Sequence, residues 1–142
     1  MIESSIVLYE HKHGNIEIVT VDLGGPATVE FDFFKMWEFK KRLGEKFDPK
    51  AFRFYHVHPS GLLAYSETDL NCVKGFSLAF GRDVWYFSII TFDSSDINDI
   101  AHKQISYTYE NGALREFLKF GLDKHHLLLL KVLSYGNVMG DK

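Results

Sequence analysis

Residues 51–70 read AFRFYHVHPSGLLAYSETDL, and this stretch decides how the chain is laid out. Its first part, 51–57 (AFRFYHV), alternates with the two-residue period of a strand. Pro59 ends that strand, because proline cannot donate to a ladder and biases the residue before it toward an extended backbone. Pro59 to Tyr65 reads as a loop. Ser66 then opens a helix, SETDLNCVKGFSLAFG, with Gly81 as its stop. Ser66 and Asp69 stand at capping-box spacing, the acid falling at the third helical position.

Upstream, 5–9 (SIVLY) and 15–21 (NIEIVTV) are rich in β-branched residues, and the EHKHG between them ends in Gly14, which predicts a hairpin. Gly24-Gly25-Pro26 breaks its second strand, and a short β-prone piece, ATVEF, follows. Asp32 suits the N-cap of a helix running to about Leu43, with Phe33, Phe34, Trp37 and Leu43 expected on one broad apolar face. Lys40, Lys41 and Arg42 suit the C-terminal end of the helix dipole, and Gly44 suits the stop.

Downstream, 84–92 (VWYFSIITF) is too continuously apolar for a solvated edge and predicts a central strand. Asp93 to Asp99 is turn-like. ISYTY and ALREFL flank Glu110-Asn111-Gly112, a strong hairpin signal. A last helix is expected over 122–134. The segment holds no repeat, low-complexity tract or linker, so 1–136 is expected to form a single domain, with 137–142 as a flexible tail. The mixed order of elements predicts an α/β (α+β) fold, a sheet with helices packed on it.

The 142 residues suit one core, and 46% hydrophobic with 25% charged residues excludes a disordered chain. A net charge of −3 and a pI near 6.1 argue against a nucleic-acid partner recognised by bulk charge. Cys72 is the single cysteine, so no internal disulfide forms. The start, MIESSIVLYE, lacks a basic n-region, and no apolar run is long enough for a bilayer, so neither secretion nor a membrane partner is expected and the working location is cytoplasmic.

The chemistry gathers around His56 and His58. Two apart at a strand end, they project from the same face with Cα atoms roughly 6.5–7 Å apart, close enough for both imidazoles to converge on one ion. Asp69 comes from the first turn of the following helix. Strand end, loop and helix start thus supply N, N and O donors with room for a water, the open zinc arrangement that lowers the pKa of bound water toward ~7. Such a site needs a general base. The other histidines lack this context. His11 and His13 read as solvated turn residues, His125 and His126 point about 100° apart on a helix, and His102 stands alone.

The run HVHPSGLLAYSETDL resembles the signature of the JAMM (JAB/MPN) zinc metalloproteases: H-x-H, seven residues, Ser, two residues, Asp. His56, His58, Ser66 and Asp69 satisfy every spacing, and Pro59 and Leu70 also fit. The resemblance covers residues 3 to about 92 and is to single-domain members of prokaryotic or phage type. It implies a JAB/MPN-like (cytidine-deaminase-like) mixed sheet flanked by helices, with Zn2+ held by His56, His58 and Asp69. The family places a catalytic glutamate at the start of an early strand. Glu3, heading SSIVLY, fits that place best, with Glu10 and Glu17 as alternatives.

By the same resemblance, the chain is expected to be an isopeptidase or peptidase in which a zinc-bound water attacks an amide carbonyl. Glu3 would act as base, and Ser66 would stabilise the oxyanion or serve only as an N-cap. The expected substrate is a ubiquitin-like or sulfur-carrier-type protein cleaved after its C-terminal tail, and a homodimer is compatible with the reading. Cys72, on the same helical face as Asp69, reads as a core residue, as do Trp37 and the aromatics around Trp85-Tyr86. The alternatives are a catalytically inactive MPN-like scaffold and a DNA-associated relative, the latter disfavoured by the acidic balance.

Overall fold

The computed structural model describes residues 1–25, 31–80, 84–117 and 120–140. Six strands form one sheet in the order β2-β1-β3-β4-β5-β6: β1 Ser4–Glu10, β2 Ile16–Leu23, β3 Phe52–Val57, β4 Val84–Phe92, β5 His102–Glu110 and β6 Ala113–Glu116. The helices are α1 Phe33–Leu43, α2 Glu67–Phe80 and α3 Lys124–Gly140. Every strand pair is antiparallel except β3–β4, which α2 connects in parallel. A parallel pair needs a crossover of a dozen or more residues, and 58–83 supply it.

Strand periodicity sorts the interior into two layers. Val7, Tyr9, Phe52, Phe54, Trp85 and Phe87 face α1 and α2 and pack with Met36, Phe39, Val73, Phe76 and Phe80. Ile6, Leu8, Tyr55, Val57, Ile90 and Phe92 face the other way and pack with Leu127, Leu130 and Tyr135 of α3. Residues of one parity on β1 and β3 therefore share the α2 side of the sheet. That side carries Glu3, Ser5, His56 and His58.

The strong local signals correspond to turns and caps that form. The β1–β2 hairpin turns through Gly14 at φ +91°, and Asn111-Gly112 takes φ +51° and +80° between β5 and β6, as two-residue hairpin loops require. Asp32 caps α1 by accepting from the Lys35 N–H at 3.1 Å. Asp32→Ala is expected to lower stability by about 1 kcal/mol in denaturant unfolding, the usual loss of an N-cap.

Three expectations are corrected. The buried face of α1 is Met36 and Phe39, while Phe34 is 78% exposed and Phe33 also reaches solvent. Phe34 lies about 200° around the helix from Met36, so the two cannot share a face. The last helix, expected to end at 134, runs on to Gly140; glycine at 136 weakens a helix without stopping it. His11 is not merely solvated, since its Nε2 meets Glu17 Oε1 at 3.0 Å. Most of ATVEF, the Gly81 stop, Leu118 and residues 141–142 lie outside the described residues.

Candidate metal centre

The site forms where β1 begins, β3 ends and α2 starts. In the β1–β3 ladder Ser5 stands opposite His56, and two positions further along that register Glu3 falls opposite His58. Glu3 is tied at both main-chain ends: its N–H donates to Gly25 O at 2.9 Å, and its carbonyl accepts from Gly24 N–H at 2.8 Å. From the other face α3 holds β1, with Ser4 Oγ donating to Leu130 O at 3.0 Å. Asp69 is set by a reciprocal cap, Ser66 N–H to Asp69 Oδ2 at 2.8 Å and Asp69 N–H to Ser66 Oγ at 3.1 Å.

These constraints bring Glu3, His56, His58 and Asp69 together, all buried, with one ligating atom of each within 4.8 Å of every other. His56 Nε2 lies 3.0 Å from Asp69 Oδ1, and His58 Nε2 lies 3.2 Å from Asp69 Oδ2. The two Nε2 atoms are 2.9 Å apart, and Glu3 Oε1 is 3.6 Å from His58 Nε2. His58 Nδ1 donates to Leu62 O at 2.9 Å, so in the neutral ring Nε2 presents a lone pair to the cluster.

Two imidazole nitrogens and two carboxylates facing one another out of water are a donor set for a cation. Tetrahedral bonds of about 2.0–2.1 Å put neighbouring donors roughly 3.3 Å apart, close to the spacings found. Imidazole nitrogen with carboxylate oxygen suits a divalent first-row transition metal ion. Among the described residues this is the one group of at least three His, Cys, Asp and Glu side chains so gathered.

The electrostatics follow from burial. Desolvation pushes the Glu3 carboxyl up to about 7, opposed by His58 and reinforced by the Asp69 charge. Desolvation also pulls His56 down, keeping its lone pair available. Burial would raise Asp69 as well, but hydrogen bonding to His56, His58 and Ser66 N–H outweighs it and holds the carboxyl well below the ordinary range. For His58 the same balance ends on the other side: burial lowers it, and Asp69 with the Leu62 carbonyl raises it above the usual value.

The structure separates the alternatives to Glu3. Glu10 sits at the far end of β1 beside Arg53 at 3.5 Å, and Glu17 pairs with Arg42 and His11. Neither joins the cluster. His126 pairs with Asp123, and His102 Nδ1 donates to Ile100 O. Cys72 is half-buried against the core and also borders the cluster, with burial raising its thiol. Ser66 is exposed, and it lines a groove of about 160 Å³ with Glu3, His58, Pro59, Ser60, Leu62 and Ala64. A cavity of about 770 Å³ lies away from the cluster beside Tyr9, His11 and Lys46.

No protein-family model matches the chain, and no characterised protein matches it in sequence. Among the described residues no helix is long and apolar enough to cross a membrane.

Proposed function

We propose that the chain is a zinc metallohydrolase of the JAMM type, with a JAB/MPN-like fold, that cleaves an amide bond after the C-terminal tail of a ubiquitin-like or sulfur-carrier-type protein. The observation that carries this reading is the placing of Glu3 beside His56, His58 and Asp69, at the inner end of a groove that Ser66 also lines. His56, His58 and Asp69 would hold the ion, which supplies Lewis acidity and lowers the pKa of water toward ~7.

Glu3 takes the proton from the attacking water on a carboxylate oxygen and returns it to the nitrogen of the leaving amine as the C–N bond breaks. Its carboxyl, pushed up to about 7, suits an acid–base group working near neutrality. The Ser66 hydroxyl oxygen accepts the Asp69 N–H, which leaves its O–H free to donate to the developing oxyanion. His56 and Asp69, nearly sealed from solvent, exclude bulk water from the inner side.

A fusion carrying a tail-linked amide, incubated with purified protein, tests the reading. Hydrolysis at the tail, lost after chelation and restored by stoichiometric zinc, is the expected result. No cleavage of any tail-linked amide by zinc-loaded protein counts against it.

A further inference from the structure

What aims two of the four cluster side chains lies in a single loop. His58 is fastened at three points. Its main-chain N–H donates to Ile90 O at 3.0 Å, its carbonyl accepts from Gly61 N–H at 3.1 Å, and ring Nδ1 donates to Leu62 O at 2.9 Å. A carbonyl can only accept, so Nδ1 carries the hydrogen and Nε2 is turned to the cluster. Asp69 Oδ2 in turn accepts from Ser66 N–H. Both outer contacts are made by main-chain groups of residues 59–66, and the same residues wall the groove.

The bend that carries the Leu62 carbonyl back to His58 passes through Gly61 at φ +82°, a left-handed backbone that favours glycine. A Cβ at this position would meet no atom within 4 Å, so a side chain there strains the backbone without colliding with anything.

We infer that loop 59–66 is the orienting shell of the metal centre, with Gly61 and the Leu62 carbonyl as positioning elements that set the tautomer and aim of His58. The inference rests on reading the cluster as a metal site. Partners that fix a ligand's tautomer are worth about 10–100-fold in metal affinity. The Leu62 side chain is 64% exposed along the groove, and Tyr65 seats the loop's far end edge-on against Tyr107 at 5.0 Å.

The test compares wild type with Gly61→Ala, Gly61→Asn and Gly14→Ala. Gly14 is the matched control: φ is +91°, a Cβ there also meets nothing within 4 Å, and it lies at the opposite end of β1 from Glu3. Zinc affinity is measured by competition with a chromophoric chelator, and the 15N signals of the His58 imidazole are read with and without metal. Gly61→Ala is expected to weaken zinc binding about 10–100-fold and to shift the Nδ1 signal in the metal-free protein. Gly61→Asn, which tolerates left-handed backbone, and Gly14→Ala are expected to behave as wild type. Unchanged affinity and unchanged His58 signals in Gly61→Ala overturn the proposal, as does an equal loss in Gly14→Ala. Wild type that takes up no zinc defeats the metal reading itself, and the metal-free Nδ1 signal then decides the loop's hold on the ring separately.

Discussion

Replacing His56 and His58 together by alanine is expected to take the purified protein from about one zinc per chain to none, as counted by mass spectrometry of the metal content. Of the proposed ligands only Asp69 would remain, with Glu3 nearby, and two carboxylates without nitrogen donors do not select zinc. The loss has a thermodynamic counterpart. Free zinc at a thousand times its dissociation constant is expected to stabilise the wild type by about 4 kcal/mol, and the variant by nothing measurable. Asp69 keeps its bond from Ser66 N–H in the variant, so the fold is expected to survive, and circular dichroism checks that directly. A variant that is folded and still carries zinc would remove these histidines from the site.

Glu3→Gln is expected to cut turnover about 10²–10⁴-fold while zinc content stays at wild-type level. That corresponds to roughly 3–5.5 kcal/mol of transition-state stabilisation. Glutamine keeps the shape and hydrogen-bonding reach of the side chain but cannot take up the proton. Glu10→Gln and Glu17→Gln, whose side chains sit with Arg53 and with Arg42 and His11, are expected to cleave normally. Wild-type turnover in Glu3→Gln would discard Glu3 as the base.

The same substitution carries an opposite expectation for stability. Burial raises Glu3 from its ordinary 4.5 to about 7. Between those values the unfolded chain releases a proton that the folded metal-free chain retains, so stability falls as pH rises through this window. The cost accumulates as pH rises toward 7 and levels off above it. Metal-free Glu3→Gln is therefore expected to melt higher than metal-free wild type at pH 8, and close to it at pH 4. A buried acid held at the expense of stability is the kind of trade that function imposes.

What could be read from the sequence was local. The Asp32 cap, the Gly14 and Asn111-Gly112 turns and the Ser66–Asp69 reciprocal cap each depend on residues within a few positions of one another, and each is found where its residues predict. The interior face of α1 differs from the one its sequence predicts, because Phe33 and Phe34 are apolar enough to suggest burial. Position around the helix, not hydrophobicity, decided in favour of Met36 and Phe39. α3 extends to Gly140, beyond the 134 that the sequence predicts, because a glycine such as Gly136 weakens a helix without ending it when the turns on either side continue. For the candidate site, spacing brought out His56, His58, Ser66 and Asp69 from one contiguous stretch. The preference for Glu3 came from the family resemblance, and spacing alone leaves Glu10 and Glu17 open, since the choice depends on which end of β1 lies against the end of β3, a matter of long-range pairing. The hold of Leu62 on His58 is made by a main-chain carbonyl, which no side-chain pattern announces.

The pairing of Ser5 with His56 has a consequence for how the protein assembles. Strand side chains alternate, so sliding β1 by one residue along β3 would throw Glu3 to the α3 side while both histidines stayed beneath α2. The hydrophobic residues of β1 would punish that slip only partly, because Ile6, Val7, Leu8 and Tyr9 offer apolar surface to both faces. The four-residue cluster is less forgiving: its first member comes from a segment some fifty positions away in the chain, and it closes in one register alone. The three proposed ligands all lie at the end of β3 and on α2, so an ion would still be gripped in the shifted register; what the slip takes away is Glu3, leaving a loaded centre with no acid beside it.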